Sequence, residues 1–369
     1  MLKPGLEGVA AAETKIGHVD GLKGELVYRG WHASELAVRY RFEEVAYLLW
    51  HGTLPDEQQL AELQKQLADY SRLTPELIHL IDAIPKQTPP MSVLLSVIGA
   101  LSDQERMWPP TIEQALRITA LIPSIIAYRC RGSAEELMEA NASTGHVERY
   151  LLSLHGRAPS KAQVIALNAY MILGMEHGLN ASTFAARVVS STESDLYAAV
   201  AAAIGAMKGA LHGGAPTGVI ELLDNISAGA DAESSMRAIL DEGGRLMGFG
   251  HRIYKTLDPR AAALREICET LAGNDPLLDM ARHAEQTAVR LLAEYKPGRQ
   301  LHTNVEFYAA AVMRAVSIPP TLFTPTFTAA RIVGWTAHAL EQSQHNRIFR
   351  PQSIYTGEFP APLPKVEES

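Results

Sequence analysis

Apolar residues along most of the chain recur at the three- and four-residue spacing that is typical of amphipathic helices. An early stripe consists of Phe42, Val45, Ala46, Leu48 and Leu49. A further helix is predicted to start at residues 54–56, and others cover 91–101, 112–128, 161–175, 196–207, 234–246, 259–271, 277–295, 306–316 and 326–342. Short turns rich in Gly, Pro and Asn join these segments. The pattern therefore predicts a mainly α fold without a large sheet.

The clearest strand signal lies in the first thirty residues. Lys15–Val19 and Glu25–Arg29 flank the glycine-containing turn DGLKG. Two short strands around such a turn predict a small N-terminal β-hairpin.

Two segments rich in glycine and proline predict hinges. Residues 209–218 contain four glycines and a proline, and residues 318–325 contain three prolines. A helical lobe between them, inserted into a larger lobe, would give a two-lobed molecule with a cleft.

Composition narrows the class of protein. The 369 residues are 47% hydrophobic and 20% charged, which allows a sizeable core and excludes bulk disorder. The longest apolar stretch, Tyr197–Met207, is too short to span a bilayer, and the N-terminus lacks a signal-peptide pattern. The net charge of −8 argues against a general nucleic-acid surface, and two cysteines exclude a disulfide framework. We therefore expect a soluble cytoplasmic protein without membrane or nucleic-acid partners.

Three of the 13 histidines lie beside glycine in turn-like segments: His177, His212 and His251. Glycine lets a substrate approach the backbone closely and leaves the imidazole accessible. Catalysis is one interpretation of this pattern, and ordinary surface or core histidines are the other.

Three further positions carry candidate chemistry. The cationic loop with Lys255 and Arg260 suits phosphate or carboxylate, although Asp258 and Pro259 also fit an ordinary capped helix start. Glu306 on an apolar segment could be a base or a plain helix-start glutamate. Arg331 in an apolar helix needs an anionic partner, either a protein carboxylate or a substrate carboxylate.

Several other site types are absent from the sequence. There is no P-loop and no HExxH segment, and GFG at 248–250 lacks the third glycine of a dinucleotide fingerprint. HGGA at 212–215 is similar to the oxyanion loop of some esterases, but no GxSxG elbow accompanies it.

Taken together, these motifs resemble those of citrate synthases. LHGGA at 211–215, MGFGHR with DPR at 247–260, and NVEFY at 304–308 match the three signature segments of that family in order and separation. EHGLN at 176–180, Arg331 and Arg350-Pro351 extend the match, as do VDG, LVYRG and FEE near the N-terminus. The chain most resembles the short bacterial branch, which includes the minor citrate synthase of Bacillus.

The resemblance implies a two-domain helical fold and a homodimer. Residues 1–215 and 321–369 would form the large domain, and residues 216–320 the small one. It also implies condensation of acetyl-CoA with oxaloacetate and hydrolysis of citryl-CoA to citrate and CoA, a step of the tricarboxylic acid cycle. Neither a metal nor another cofactor is expected, because acetyl-CoA is a substrate.

By this resemblance three residues are catalytic: Glu306 as the base, His212 as the donor to the thioester carbonyl, and His251 as the group that polarises the oxaloacetate ketone. Removal of a proton from the weakly acidic methyl group requires both a base and such a donor.

The resemblance also implies a substrate-binding set. Oxaloacetate would be held by His177, Arg260, Arg331 and, from the partner subunit, Arg350, while Lys255 would contact a CoA phosphate.

One departure from the family is Glu306, where most members have Asp, followed by Ala309-Ala310 in place of Ser-Gly. The longer side chain moves the base by about one bond length, and a misplacement of about 1 Å can cost about a hundredfold in rate. Three alternatives stay open: a 2-methylcitrate synthase that uses propionyl-CoA, a non-catalytic relative that binds CoA or a di-acid, and a histidine-rich metal protein.

Overall fold

In the computed structural model, described over residues 3–101, 108–132, 144–213, 217–250, 254, 256–271, 276–299 and 301–359, the chain is mainly helical. This confirms the predicted fold class. Within these residues sixteen α-helices occur. They are α1 (Ala33–Arg39), α2 (Phe42–His51), α3 (Glu57–Tyr70), α4 (Pro75–Ala83), α5 (Pro90–Ala100), α6 (Ile112–Arg131), α7 (His146–His155), α8 (Lys161–Gly174), α9 (Ala181–Ser191), α10 (Leu196–Met207), α11 (Thr217–Ser227), α12 (Ala232–Asp241), α13 (Pro259–Thr270), α14 (Pro276–Tyr295), α15 (Val305–Ala315) and α16 (Phe323–Gln344).

The N-terminal hairpin is present and is extended by a third strand. β1 (Gly17–Asp20) pairs antiparallel with β2 (Glu25–Tyr28), which pairs with β3 (Trp31–His32). The β2–β3 turn consists of Arg29 and Gly30, both with positive φ (47° and 88°). Such a turn matches the twist of paired strands but is unusual for arginine. Here the Arg29 guanidinium donates to the Leu49 carbonyl, which holds the turn in place.

Most predicted helices occur with their ends shifted by a few residues. The largest error is at α12, which ends at Asp241 rather than near 246, because Gly243 (φ 76°) cannot continue the helix. Pro325, at the end of the second segment that is predicted to be a hinge, lies in the first turn of α16, where its missing N–H leaves no hydrogen bond unmade. Five helices, α1, α4, α7, α9 and α11, were not predicted from the sequence.

The long helix α16 lies at the centre of the fold. Most of its 22 residues are buried, and it packs against α2, α5, α6, α8, α9 and α10. α13 and α15 pack on each other and on α8, and α13 also packs on α1. No helix among the described residues is long and apolar enough to cross a membrane.

Candidate active site

His212 lies in a tight turn that directly follows α10. Its backbone N–H and that of Gly213 both donate to the Gly209 carbonyl, at 3.0 and 3.2 Å. A Cβ on Gly213 would lie 2.2 Å from the Met207 carbonyl, so only glycine fits there. The turn leaves the His212 ring half-buried.

The contacts of the ring determine where its proton lies. His212 Nε2 lies 3.3 Å from the backbone nitrogen of Ser182, whose N–H donates to it, and 2.7 Å from the Ser182 hydroxyl. A backbone N–H can only donate, whereas the hydroxyl can rotate, so we assign Nε2 as the acceptor and Nδ1 as the protonated nitrogen. Burial, and then the positive charge of Arg331, lower the pKa of His212. The ring is therefore a neutral imidazole with one N–H to donate.

Ser182 is itself held by a residue from α16. The indole Nε1–H of Trp335 donates to the Ser182 Oγ at 3.0 Å, and the Ser182 Oγ lies 2.8 Å from the Asn180 Oδ1. Both Trp335 and Ser182 are fully buried. α16 thus fixes the partner that orients His212.

A second group joins the starts of α13 and α15. The Asp258 carboxylate binds Arg260 through two bonds of 3.0 Å, to Nε and to a terminal nitrogen. The same carboxylate accepts the backbone N–H of Val305 at 3.0 Å. Burial is the largest single effect and lowers the pKa of Arg260, but the charge and the hydrogen bonds of Asp258, with smaller effects of Tyr254 and Tyr28, together outweigh it and the net shift is upward. Asp258 therefore holds a charged Arg260 beside the turn that carries Glu306.

Glu306 occupies the first turn of α15, where its backbone N–H is capped by Asn304 Oδ1 at 2.9 Å. Its side chain is accessible to solvent. The surrounding protein nevertheless removes part of the carboxylate's hydration, and this raises the pKa of Glu306; nearby Arg260 opposes the shift and Asp258 adds to it. An accessible carboxylate with a raised pKa is suited to proton abstraction.

His177 lies between α8 and α9 and is half-buried. Its Nε2 lies 2.9 Å from the hydroxyl of Tyr254, and the two rings meet edge to face. Burial raises the pKa of Tyr254 to about 12, so the phenol keeps its proton at neutral pH. The Arg260 guanidinium lies 5.6 Å from the centre of the Tyr254 ring, so His177 and Arg260 contact the same tyrosine.

Arg331 is a buried cation on α16 with 2% of its surface exposed. Its Nε donates to the Gly174 carbonyl at 2.5 Å, and its guanidinium lies 4.8 Å from the centre of the Phe327 ring. Burial lowers the pKa of Arg331, against the opposing charge of Glu176. Within the described part of the chain its two terminal nitrogens have no hydrogen-bond partner. They are the free fork of a charged guanidinium.

Comparison with known proteins identifies the family. The family model described as "Citrate synthase, C-terminal domain" matches residues 5–352. The chain belongs to the citrate synthase family. It is 38% identical to citrate synthase 2 of Bacillus subtilis, covering 99% of this chain and 98% of that protein. It is also 37% identical to the 2-methylcitrate synthase of Shewanella oneidensis, covering 96% and 95%.

A solved structure supports the same assignment. The ternary complex of carboxymethyl coenzyme A and oxaloacetate with citrate synthase from Thermoplasma acidophilum has a TM-score of 0.83. It is 27% identical in sequence, and the match covers 99% of both chains. As a member of the citrate synthase family, the chain is an acyltransferase of that type.

The structure brings some of the predicted site residues of this citrate synthase family member together. The charge of Arg331 acts on His212, and the charge of Arg260 acts on both Arg331 and Glu306. His251 and Lys255 lie outside the described residues. Arg350 is exposed in the extended segment after α16.

Several supporting residues were not predicted from the sequence. Ser182, Trp335 and Tyr254 received no role, and Asp258 was predicted only as a helix cap, which it is: its side chain accepts the Arg260 N–H. The sequence did contain an indication of the place of Ser182. Asn180 is a good N-cap and marks the start of α9, so Ser182 is predicted to lie in the first turn of that helix. Nothing local in the sequence indicates the contact of Trp335 with a residue 153 positions away.

Proposed function

We propose that this enzyme condenses acetyl-CoA with oxaloacetate and then hydrolyses the thioester of citryl-CoA, which releases citrate and CoA. The proposal rests on two groups of the site. His212 is a neutral imidazole with its proton on Nδ1, and Glu306 is a carboxylate; the charges of the site's buried arginines act on both. Formation of a carbanion next to a thioester requires a donor and a base of these two kinds.

In the first step Glu306 takes a proton from the methyl group of acetyl-CoA. The electron pair of the broken C–H bond moves towards the thioester oxygen, which accepts a hydrogen bond from His212 Nδ1. The nucleophilic carbon then attacks the ketone carbon of oxaloacetate, and the ketone oxygen gains a proton. His251 would polarise this ketone, as the family resemblance implies. Water finally cleaves the thioester and CoA leaves as a thiol.

Oxaloacetate carries two carboxylates, and the site offers two guanidinium groups. The free fork of Arg331 suits one carboxylate, and Arg260, held by Asp258, lies near enough for its charge to act on Arg331. His177 adds a polar group beside Tyr254. Lys255 is proposed to contact CoA phosphate.

Domain closure is part of the proposal. The lobe of residues 216–320 is proposed to close on the rest of the chain after oxaloacetate binds. Closure would complete the thioester site and delay the entry of water until condensation is finished. It would also limit hydrolysis of acetyl-CoA itself.

Thiol release tests the proposed function. The purified protein is expected to release CoA thiol from acetyl-CoA only when oxaloacetate is present, and to do so equally well in a metal chelator. Thiol release without oxaloacetate would indicate a simple thioesterase. Binding of both reactants with no release would support the alternative of a non-catalytic relative.

The second candidate reaction is 2-methylcitrate synthesis from propionyl-CoA. The 37% identity to the Shewanella oneidensis enzyme supports it. The two acyl chains differ by one methylene, which is worth only about 1–3 kcal/mol of discrimination. Comparison of kcat/KM for acetyl-CoA and propionyl-CoA decides between them, and a clear preference for propionyl-CoA would overturn the main proposal.

We also propose a homodimer. The segment after α16 exposes four large apolar side chains, which a partner subunit would cover: Ile348, Ile354, Tyr355 and Phe359, with 57, 68, 63 and 81% of their surfaces exposed. The segment is anchored at its start, where the Phe349 N–H donates to Ser191 Oγ and its ring packs edge to face on Phe184. Arg350 follows directly and is proposed to reach the partner's oxaloacetate.

Subunit complementation tests this role of Arg350. His212→Gln and Arg350→Ala homodimers are each expected to be nearly inactive. A heterodimer isolated with two affinity tags should regain about half the wild-type activity, because one of its two sites receives an intact His212 and an intact Arg350 from different chains. If Arg350 served its own chain, both sites would be defective.

The neighbouring exposed Arg347 provides the control. Arg347→Ala should remain active as a homodimer. A heterodimer of Arg350→Ala and His212→Gln without activity, or a monomer in sedimentation experiments, would contradict the proposal.

A further inference from the structure

A chain of buried polar side chains lies behind the oxaloacetate residues. Glu176 and His338 are 0% exposed and Arg187 is 3% exposed. His338 Nε2 lies 3.1 Å from Glu176 Oε2, and His338 Nδ1 lies 2.8 Å from a terminal nitrogen of Arg187. Arg187 also binds Glu341 at 2.9 Å and Gln342 at 3.0 Å. The chain runs from the end of α8 through α16 to α9.

The donors and acceptors in this chain are fixed. A guanidinium can only donate, so His338 Nδ1 accepts from Arg187. The remaining proton of the neutral ring is therefore on Nε2 and is donated to Glu176. The other carboxylate oxygen, Glu176 Oε1, accepts the backbone N–H of Gly178 at 2.5 Å. Glu176 thus has charge-assisted hydrogen bonds on both oxygens.

Two glycines leave the space that the Glu176 side chain occupies. A Cβ on Gly17 in β1 would lie 2.8 Å from Glu176 Cγ. A Cβ on Gly334 in α16 would lie 2.8 Å from Glu176 Oε2 and 2.2 Å from the Met175 carbonyl. Any larger residue at either position would displace the carboxylate. The site is thus built around this one side chain.

Glu176 connects this chain to the substrate-binding residues in two ways. It directly precedes His177, and its bond to the Gly178 N–H closes the turn, which has a left-handed Gly178 (φ 62°), around that histidine. Its negative charge also acts on Arg331. Because Arg331 and His338 are seven residues apart on α16, they lie on the same face of that helix.

We propose that Glu176, His338 and Arg187 are positioning residues for oxaloacetate, an inference that rests on the proposed function. His338, kept neutral and oriented by Arg187, holds the Glu176 carboxylate in place. Glu176 in turn shapes the turn that presents His177 by accepting the Gly178 N–H. None of the three touches the substrate.

Substitution of His338 tests the proposal. His338→Leu removes the donor to Glu176, and we expect the Kd and KM for oxaloacetate to rise by roughly ten- to hundredfold, since small displacements of binding groups have effects of this size. KM for acetyl-CoA should change less than threefold or so, because that substrate is bound elsewhere. His338→Gln retains an amide N–H near the Nε2 position and should recover most of the affinity.

A control separates positioning from loss of stability. Tyr150→Phe deletes a buried hydrogen bond of 2.8 Å to Thr326, which also lies on α16 but in its first turn. It should lower Tm much as His338→Leu does and leave Kd for oxaloacetate unchanged. If His338→Leu does not fold, Glu176→Gln serves instead, because it keeps the shape and removes the charge, and it should show the same loss of affinity.

Calorimetry measures oxaloacetate binding without turnover. It therefore tests the positioning role separately from the proposed reaction. A wild-type protein that binds the keto-diacid but releases no thiol would contradict the proposed reaction but not the positioning role. Equal Kd values for wild type and both His338→Leu and Glu176→Gln would overturn the positioning role, as would a His338→Gln variant no better than His338→Leu.

Discussion

Glu306→Gln is expected to lower kcat for thiol release by about 10²–10⁴-fold, the range that a general base contributes. Glutamine has the same size and can keep the backbone cap from Asn304, but it cannot take a proton from the acetyl methyl group. Oxaloacetate affinity should change little, because its carboxylates are assigned to Arg260 and Arg331. Steady-state kinetics and calorimetry measure the two effects separately.

The wild-type pH profile provides an independent check on the base. Glu306 must be ionised to act, and the surrounding protein raises its pKa by removing part of the carboxylate's hydration. The rate should therefore fall as the pH drops through this raised pKa, at a higher pH than for a glutamate in water. Glu266→Gln, an exposed position on α13, is the matched control and should behave as wild type. A Glu306→Gln enzyme with kcat close to wild type would falsify the base assignment.

Local pattern was enough to predict much of the fold. α10 occupies residues 196–207, as its continuous apolar sequence and the Asp195 cap indicate. α9 was missed because the HGLN segment before it is typical of a turn, and the turn does exist, but Asn180 then caps a helix. The third strand was missed because arginine is a rare residue at positive φ. For both α9 and the third strand, the residues directly before the element gave the misleading signal.

Only those site residues that lie in family-like motifs could be predicted from the sequence. His177, His212, Arg260, Glu306 and Arg331 lie in segments that resemble the family, and these are the residues that the sequence proposed. Their supports are set by tertiary contacts between distant positions. His338 and Glu176 are 162 residues apart, and the Trp335–Ser182 pair 153. No local periodicity encodes such pairs, so the structure was needed to find them.

One face of α16 carries residues from both groups, those that bind substrate and those that hold them in place. Arg331, Trp335 and His338 follow each other on α16 at intervals of four and three residues, which places them on one face. The first is proposed to bind oxaloacetate, the second holds Ser182 under His212, and the third holds Glu176 beside His177. Because α16 is buried and packed on six helices, it is a rigid base for both halves of the site.

His212→Gln is expected to lower kcat by about 10²–10³-fold, the usual cost of removing one donor from a developing oxyanion. The amide of glutamine can replace the Nε2 contact with Ser182 but supplies no donor at the Nδ1 position. His212→Asn places an amide N–H close to Nδ1 and should therefore recover part of the rate. Burial and the charge of Arg331 keep the wild-type ring neutral. His212 therefore contributes to catalysis through the one N–H that it donates, and the location of that proton decides its effect.

The position of that proton can be measured directly with ¹⁵N-labelled histidine. In the wild-type enzyme, the His212 Nε2 resonance should have the shift of an unprotonated acceptor nitrogen, because the Ser182 N–H points at it. Trp335→Phe frees the Ser182 hydroxyl from its indole donor and should broaden or shift this resonance, whereas Trp31→Phe, at a position that is 41% exposed, should not. A protonated Nε2 in the wild type, together with equal rates for His212→Gln and His212→Asn, would mean that the thioester oxygen is stabilised by another group.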